Sequence, residues 1–188
     1  MQTKLYIAGE WRDGSNGAVK AVTNPSTGEH ITDVAAASTD DATAACQAAH
    51  EAQLGWAGVA PREKAEILRR CWERMMEHQD ELADLIVAEH GKPIGDARGE
   101  VAYAAEFFRW NSEEATRIHG SLSTAPSGAN RIIVHHPPVG VVVIVTPWNF
   151  PAAMITRKLA PALAAGNGVV IKPPTETPLT ALRIAELL

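Results

Sequence analysis

The run Val139-Gly140-Val141-Val142-Val143-Ile144-Val145, leading directly into Thr146-Pro147-Trp148-Asn149-Phe150-Pro151, decides the fold. The first part is apolar on consecutive positions, as a parallel strand buried on both faces requires; a strand with one wet face would alternate. The second part is a turn that opens a helical pattern, Pro151 to about Ala165. A second strand-like run, Gly168 to Ile171, follows, and another helical pattern begins near Thr177. Strand, helix, strand, helix is the order of a parallel sheet with crossover helices. The expected fold class is therefore α/β, a doubly wound parallel sheet.

On the N-terminal side of this unit, Arg131 to His136 reads as a further strand, separated from Val139 by Pro137-Pro138, and Ser121 to Asn130 reads as a polar loop or hairpin. Before Gly120 the texture is helical. Ser38-Thr39-Asp40-Asp41 has a capping side chain and first-turn acids, and the Ala-rich helix behind it is expected to stop at Gly55. Pro61 suits a first helical position, and Ala65, Leu68, Trp72, Met75 and Met76 recur at helical spacing as a core stripe. A helix over Asp80 to Glu89 is closed by Gly91, and a long pattern runs from about Ile94 to His119. Lys4 to Trp11 reads as an N-terminal strand followed by turns, and Asn24 to Glu29 as a second turn before the apolar run Ile31 to Ala36. The last residues, Leu179 to Leu188, are still in helical phase, so the chain is expected to be part of a longer one.

Composition narrows the function. A net charge of −5 argues against nucleic acid as a partner, since nucleic-acid binders cluster Lys and Arg. No apolar run reaches the roughly 18–20 residues that span a bilayer, and the first residues lack the apolar core of a secretion signal. Cys46 and Cys71 form neither a metal-ligand spacing nor a disulfide framework, which suits a reducing cytoplasm. Both are expected to be small packed residues in helices, and neither matches a nucleophile's context. His135 and His136 adjoin on a predicted strand, so they would face opposite sides and could not chelate together. Glu113-Glu114 reads as a solvated helix face. No metal site is expected.

The polar residues that could carry chemistry stand after the two strands of the parallel unit. Open α/β sheets bind ligands just beyond the carboxyl ends of their strands. Thr146 to Pro151 and Lys172-Pro173-Pro174-Thr175 occupy equivalent places there, so two adjacent strand ends would face one crevice. Taken alone, a Pro-Trp-Asn turn and a lysine after a strand have simpler readings, as a backbone-bonded turn and a solvated cation.

The longer pattern is specific. Thr146 to Pro151, then Thr156-Arg157-Lys158-Leu159-Ala160-Pro161-Ala162-Leu163-Ala164-Ala165-Gly166-Asn167, then Val169-Val170-Ile171-Lys172-Pro173, resembles the aldehyde dehydrogenase superfamily. Ile7 to Trp11, Asn24 to Glu29, Gly91-Lys92-Pro93 and Glu113-Glu114-Ala115 running into Gly120 agree with it. The resemblance covers essentially the whole chain, which would be less than half of a family member.

That resemblance implies roles. The amide of Asn149 would stabilise the oxyanion formed when a cysteine thiolate attacks an aldehyde, and Lys158 would support the active site. Lys172 would bond the adenosine ribose of NAD(P). Thr146, Trp148, Asn149, Pro173, Pro174 and Thr175 would line the cofactor surface. Arg157 matches the arginine that binds the distal carboxylate in the succinate-semialdehyde branch, which makes succinate semialdehyde the expected substrate. Many NAD-preferring relatives carry Glu where this chain has neutral Thr175, so NADP is the preferred cofactor and NAD the other possibility, with Glu176 one residue later as the complication. The family's nucleophilic Cys, general-base Glu and pyrophosphate glycines would lie beyond Leu188, so this chain alone is expected to be inactive and marginal in solution. The implied organisation is 1–120 as the N-terminal part of a cofactor-binding domain, 121–138 as an oligomerisation hairpin that makes the full enzyme a homo-oligomer, and 139–188 as the first part of the dinucleotide-binding sheet. A dehydrogenase of another substrate class and a catalytically dead binding module are the alternatives.

Overall fold

The computed structural model describes residues 1–188. Its decisive feature is the parallel pair. Strand β7 (Val141–Val145) and strand β8 (Gly168–Lys172) pair in parallel, Val141 opposite Gly168 and Val145 opposite Lys172, and helix α5 (Ala153–Ala164) makes the crossover. Helix α6 (Leu179–Leu187) follows β8. The α/β arrangement expected from the sequence is thus present. Burial on both strand faces is not: Ile144 is 1% exposed, but Val143 and Val145 are 57% and 64% exposed. Side chains alternate along a strand, and the second face is covered at its Gly168 end by helix α1 (Thr39–Gly58), which leaves Val143 and Val145 exposed.

Helix α5 packs on the Ile144 face, and α2 (Pro61–Glu77), α3 (Gln79–His90) and α4 (Ile94–Glu114) lie behind it. Phe108, Leu68, Met75, Leu82, Ile86 and Val101 are completely buried and join Ile144, Ile155 and Ile184 in one core. Trp72 and Met76 lie at its edge. Ser38 and Asp41 make a reciprocal capping box at the start of α1. Asp41 also accepts from the Ser15 amide, and these backbone donors, Ser38 first and Ser15 next, hold its carboxyl down at about 2. Helix α1 runs past Gly55, against expectation. One helical glycine costs only about 1 kcal/mol, and the last turns carry tertiary bonds: Gln53 Nε2 donates to the Gly166 carbonyl at 3.1 Å and Trp56 Nε1 to the Leu163 carbonyl at 2.9 Å. Helix α4 stops at Glu114 rather than near His119. Glu113 and Glu114 are surface residues paired with Arg117.

The close approach of α1 to the sheet depends on Gly168. A Cβ there would lie 2.3 Å from the Ala49 carbonyl oxygen. Asn167 before it is buried and ties the unit together, with Oδ1 accepting from the Val139 and Gly140 amides at 2.7 and 3.1 Å while Nδ2 donates to the Ala162 carbonyl at 3.1 Å.

Two hairpins form the N-terminus. The segment read as one strand, Lys4 to Trp11, reverses at Ala8 and Gly9, both with positive φ, so that β1 (Leu5–Ile7) pairs antiparallel with β2 (Glu10–Arg12). Strands β3 (Val19–Thr23) and β4 (His30–Ala35) pair around the Asn24–Glu29 turn, and Val22 and Val34 pack on Leu179. The third hairpin, β5 (Ser121–Thr124) and β6 (Arg131–Val134), is exposed at every strand position. Its second strand ends before His135, so the two histidines are not strand neighbours; His136 Nδ1 instead bonds the His119 carbonyl at 2.8 Å. Cys46 is exposed on α1, which corrects its expected burial, whereas Cys71 is packed and burial pushes its thiol up to about 11. No three His, Cys, Asp or Glu side chains converge as a metal site, and no helix is long and apolar enough to cross a membrane.

Candidate active site at the strand ends

The two strand-end loops meet. Thr177 is buried, and its hydroxyl donates to the Trp148 carbonyl at 3.4 Å, which fastens the loop after β8 to the loop after β7. The strand-end residues singled out from sequence, Thr146, Trp148, Asn149, Lys172, Pro173, Pro174 and Thr175, therefore share one edge of the parallel pair.

In the first loop, Thr146 continues the ladder, its amide reaching the Lys172 carbonyl at 3.4 Å. Its hydroxyl is buried without a hydrogen-bond partner. Asn149 is exposed, and its side-chain amide makes no hydrogen bond within the chain, so both of its donors are free. Trp148 is half-exposed and lies against the His90 ring, centroids 5.7 Å apart. Both ring nitrogens of His90 are buried and unpartnered, and burial, reinforced by the Lys92 charge, holds its pKa below the ordinary histidine value.

Helix α5 starts without a capping side chain of its own, because Ala152 occupies the cap position. Glu100 from α4 takes over: its Oε1 accepts from the Ala152 and Ala153 amides at 2.9 and 3.3 Å. Glu100 also pairs with Lys92, whose Nζ reaches the Asn149 carbonyl at 3.4 Å and lies 4.1 Å from the Phe150 ring centroid. Further along α5, Arg157 is exposed and pairs with no carboxylate of the chain. Lys158 is half-buried and donates to the Met154 carbonyl one turn back at 2.9 Å.

In the second loop, Lys172, Thr175 and Glu176 are exposed, while Pro174 is buried. Helix α6 also lacks a cap of its own. Glu89 supplies it, accepting from the Leu179 amide at 2.6 Å and from the amide and hydroxyl of Thr180. Burial pushes the Glu89 carboxyl up to about 7, against these hydrogen bonds and with some help from the Glu100 charge.

This arrangement bears on what the edge could hold. Helix N-termini attract phosphate through free amides and the helix dipole. Here a buried carboxylate already occupies the first amides of each helix, so a dinucleotide's pyrophosphate would meet a carboxyl group at both. The Lys172 ammonium and the Thr175 hydroxyl are both exposed on the loop after β8. A groove of about 410 Å³, lined among others by Gly95, Gly99, Tyr103, Lys92 and Phe150, opens on the α4 side of the first loop; Asn149, Arg157, Lys172 and Thr175 lie outside it.

Glu89, His90, Lys92, Glu100 and Thr177 had no role in the sequence reading. Two of them carried a signal. Glu100 follows Ala97 by three positions and precedes Ala104 by four, and Glu89 follows Ile86 by three, so each places an acid on a buried stripe. A buried carboxylate demands partners.

Comparison with known proteins agrees over the same residues. The aldehyde dehydrogenase family pattern matches residues 11–188. The chain is 48% identical, over 98% of its length, to the NADP(+) succinate-semialdehyde dehydrogenase GabD of Escherichia coli and equally to a glutarate-semialdehyde dehydrogenase of Pseudomonas putida. It spans 38% of the length of each. The crystal structure of an E. coli NADP-dependent enzyme superposes with a TM-score of 0.96 at 46% identity, covering 99% of this chain and 39% of that one.

Proposed function

Because the chain belongs to the aldehyde dehydrogenase family, we propose that it is the N-terminal part of an NADP-dependent enzyme that oxidises succinate semialdehyde to succinate. The observation that carries this reading is the pairing of a free amide with a free cation near one helix start. Asn149 has both side-chain donors available, and Arg157 is exposed without an acidic partner. A neutral donor fixed at the strand end suits an oxyanion, and a planar guanidinium suits the distal carboxylate of the substrate. Lys158 supports the same helix surface through its bond to Met154.

On this reading the thiolate that attacks the aldehyde, and the base that releases the acid, come from segments outside this chain. NADP⁺, when bound, supplies the hydride acceptor. Lys172 and Thr175 orient its ribose, with Thr146, Trp148, Pro173 and Pro174 completing the surface. Thr175 brings a hydroxyl and no charge to the position where a carboxylate would repel a 2′-phosphate; the glutamate next to it, Glu176, leaves NAD as the second cofactor to assay.

The domain assignment is part of the same proposal: 1–120 and 139–188 belong to the cofactor-binding domain of a cytoplasmic enzyme, and 121–138 reaches another subunit. Leu122 and Ile133 are 69% and 77% exposed, so hairpin β5–β6 offers apolar side chains and an unpaired edge to a partner strand. A complete enzyme that sediments as a monomer at micromolar concentration would remove the hairpin's role.

The substrate is tested in the complete enzyme with Arg157→Ala. KM for succinate semialdehyde should rise at least about tenfold, the loss of one charge-assisted contact, while KM for an uncharged aldehyde stays nearly constant. Equal effects on both aldehydes would refute the assignment. Because the relative of equal identity acts on glutarate semialdehyde, that aldehyde belongs in the same assay.

A further inference from the structure

We propose that Lys92 and Glu100 act as one positioning unit for the oxyanion amide of Asn149. This inference rests on the dehydrogenase reading above. Glu100 is 4% exposed on the apolar stripe of α4, and the Lys92 side chain is only 12% exposed. Such a site is costly for a charged pair unless further bonds compensate for lost water. Those bonds converge on a single short turn. Glu100 holds the Ala152 and Ala153 amides, and Lys92 holds the Asn149 carbonyl and lies over Phe150.

The backbone is thereby fastened on both sides of Asn149-Phe150-Pro151. Pro151 removes one more degree of freedom by fixing its own φ. With its carbonyl contacted at 3.4 Å at one end and the helix start held at the other, the peptide that carries the Asn149 side chain is restricted from both sides. An oxyanion donor needs this, because a misplacement of about 1 Å costs on the order of a hundredfold in rate. Both side chains also line the groove of about 410 Å³ beside the turn, and Asn149 lies outside it, so their proposed action on the amide runs through the turn.

Four variants of the complete enzyme test the unit: Lys92→Met, Glu100→Gln, the double variant and Lys92→Arg. Each disruptive single variant should lower kcat about tenfold to a hundredfold and leave KM for NADP within about twofold. The double variant should fall no further than the worse single one, since residues acting as a unit are not additive. Lys92→Arg should recover most of the rate. Amide exchange should rise over residues 149–153 in Lys92→Met and stay at the wild-type level over residues 173–180. Multiplicative losses in the double variant, a KM change as large as the kcat change, or unaltered exchange at 149–153 would each overturn the proposal. A wild-type enzyme that oxidises no aldehyde would refute the dehydrogenase reading instead, and the exchange experiment would still show whether the pair pins the turn.

Discussion

The loops that leave β7 and β8 follow one plan and are finished differently. Each leads into a helix with no capping side chain of its own, and each borrows a buried carboxylate from the α3–α4 region. For α5 the borrowed acid, Glu100, has a lysine against it. For α6 the acid, Glu89, has only the neutral donors of Leu179 and Thr180, and the like charge of Glu100 adds a little to its raised pKa. The loop that carries Asn149 is thus fastened by opposite charges. The loop that carries Lys172 depends on a carboxyl raised by burial to about 7.

The sharpest way to break this division is to remove the tip of each loop. Asn149→Ala should reduce kcat of the complete enzyme by a factor of about 100–1000, or about 3–4 kcal/mol, with little change in KM for NADP. Lys172→Ala should do the reverse, raising KM for NADP more than it lowers kcat. If Asn149→Ala moved only KM, the two loops would not have separate tasks.

The difference between the carboxylates predicts a pH effect. Glu89 sits at about 7 instead of the ordinary 4.5, so the folded state holds its proton more tightly than the unfolded state. Stability from this group is therefore fullest below 4.5 and is lost as pH rises to about 7, by about 3 kcal/mol. Asp41, held down at about 2 from 3.8, works the other way in a separate window: its contribution is present above 3.8 and is lost as pH falls towards 2. Urea midpoints between pH 4.5 and 7.5 should fall with pH in the wild type and less steeply in Glu89→Gln. Superimposable slopes would remove the contrast between the two caps.

A smaller change should move cofactor choice and nothing in the first loop. Thr175→Glu should shift kcat/KM from NADP towards NAD by about tenfold, equivalent to about 1.4 kcal/mol. No shift would place 2′-phosphate discrimination elsewhere, with Glu176 as the next residue to replace. The mildest change is a control distant from both loops. Ser38→Ala removes the capping hydroxyl of α1 and should cost about 1 kcal/mol in stability, leaving kcat and both cofactor KM values unchanged.

Much of this difference is legible in the sequence. Ser38 with Asp41, Pro61 and Gly91 marked helix ends through chemistry local to a few residues, and the structure has them there. The β-α-β-α order located both loops. The misses have different causes. Gly55 signalled a stop that Gln53 and Trp56 override by bonding residues more than a hundred positions away. Lys4 to Trp11 looked like one strand because Ala8 gives no warning of a positive φ.

The sequence alone determined the local periods, the turn chemistry and the family pattern, since each depends on neighbours within a few positions. Only the tertiary structure decided that Glu89 and Glu100 cap helices that begin 90 and 53 residues later in the chain. It also decided that Lys92 reaches Asn149 and that Val143 and Val145 face away from the core. Burial turns an ordinary acid on a helix into a group that must be satisfied, and where its partners come from is settled by how the layers pack.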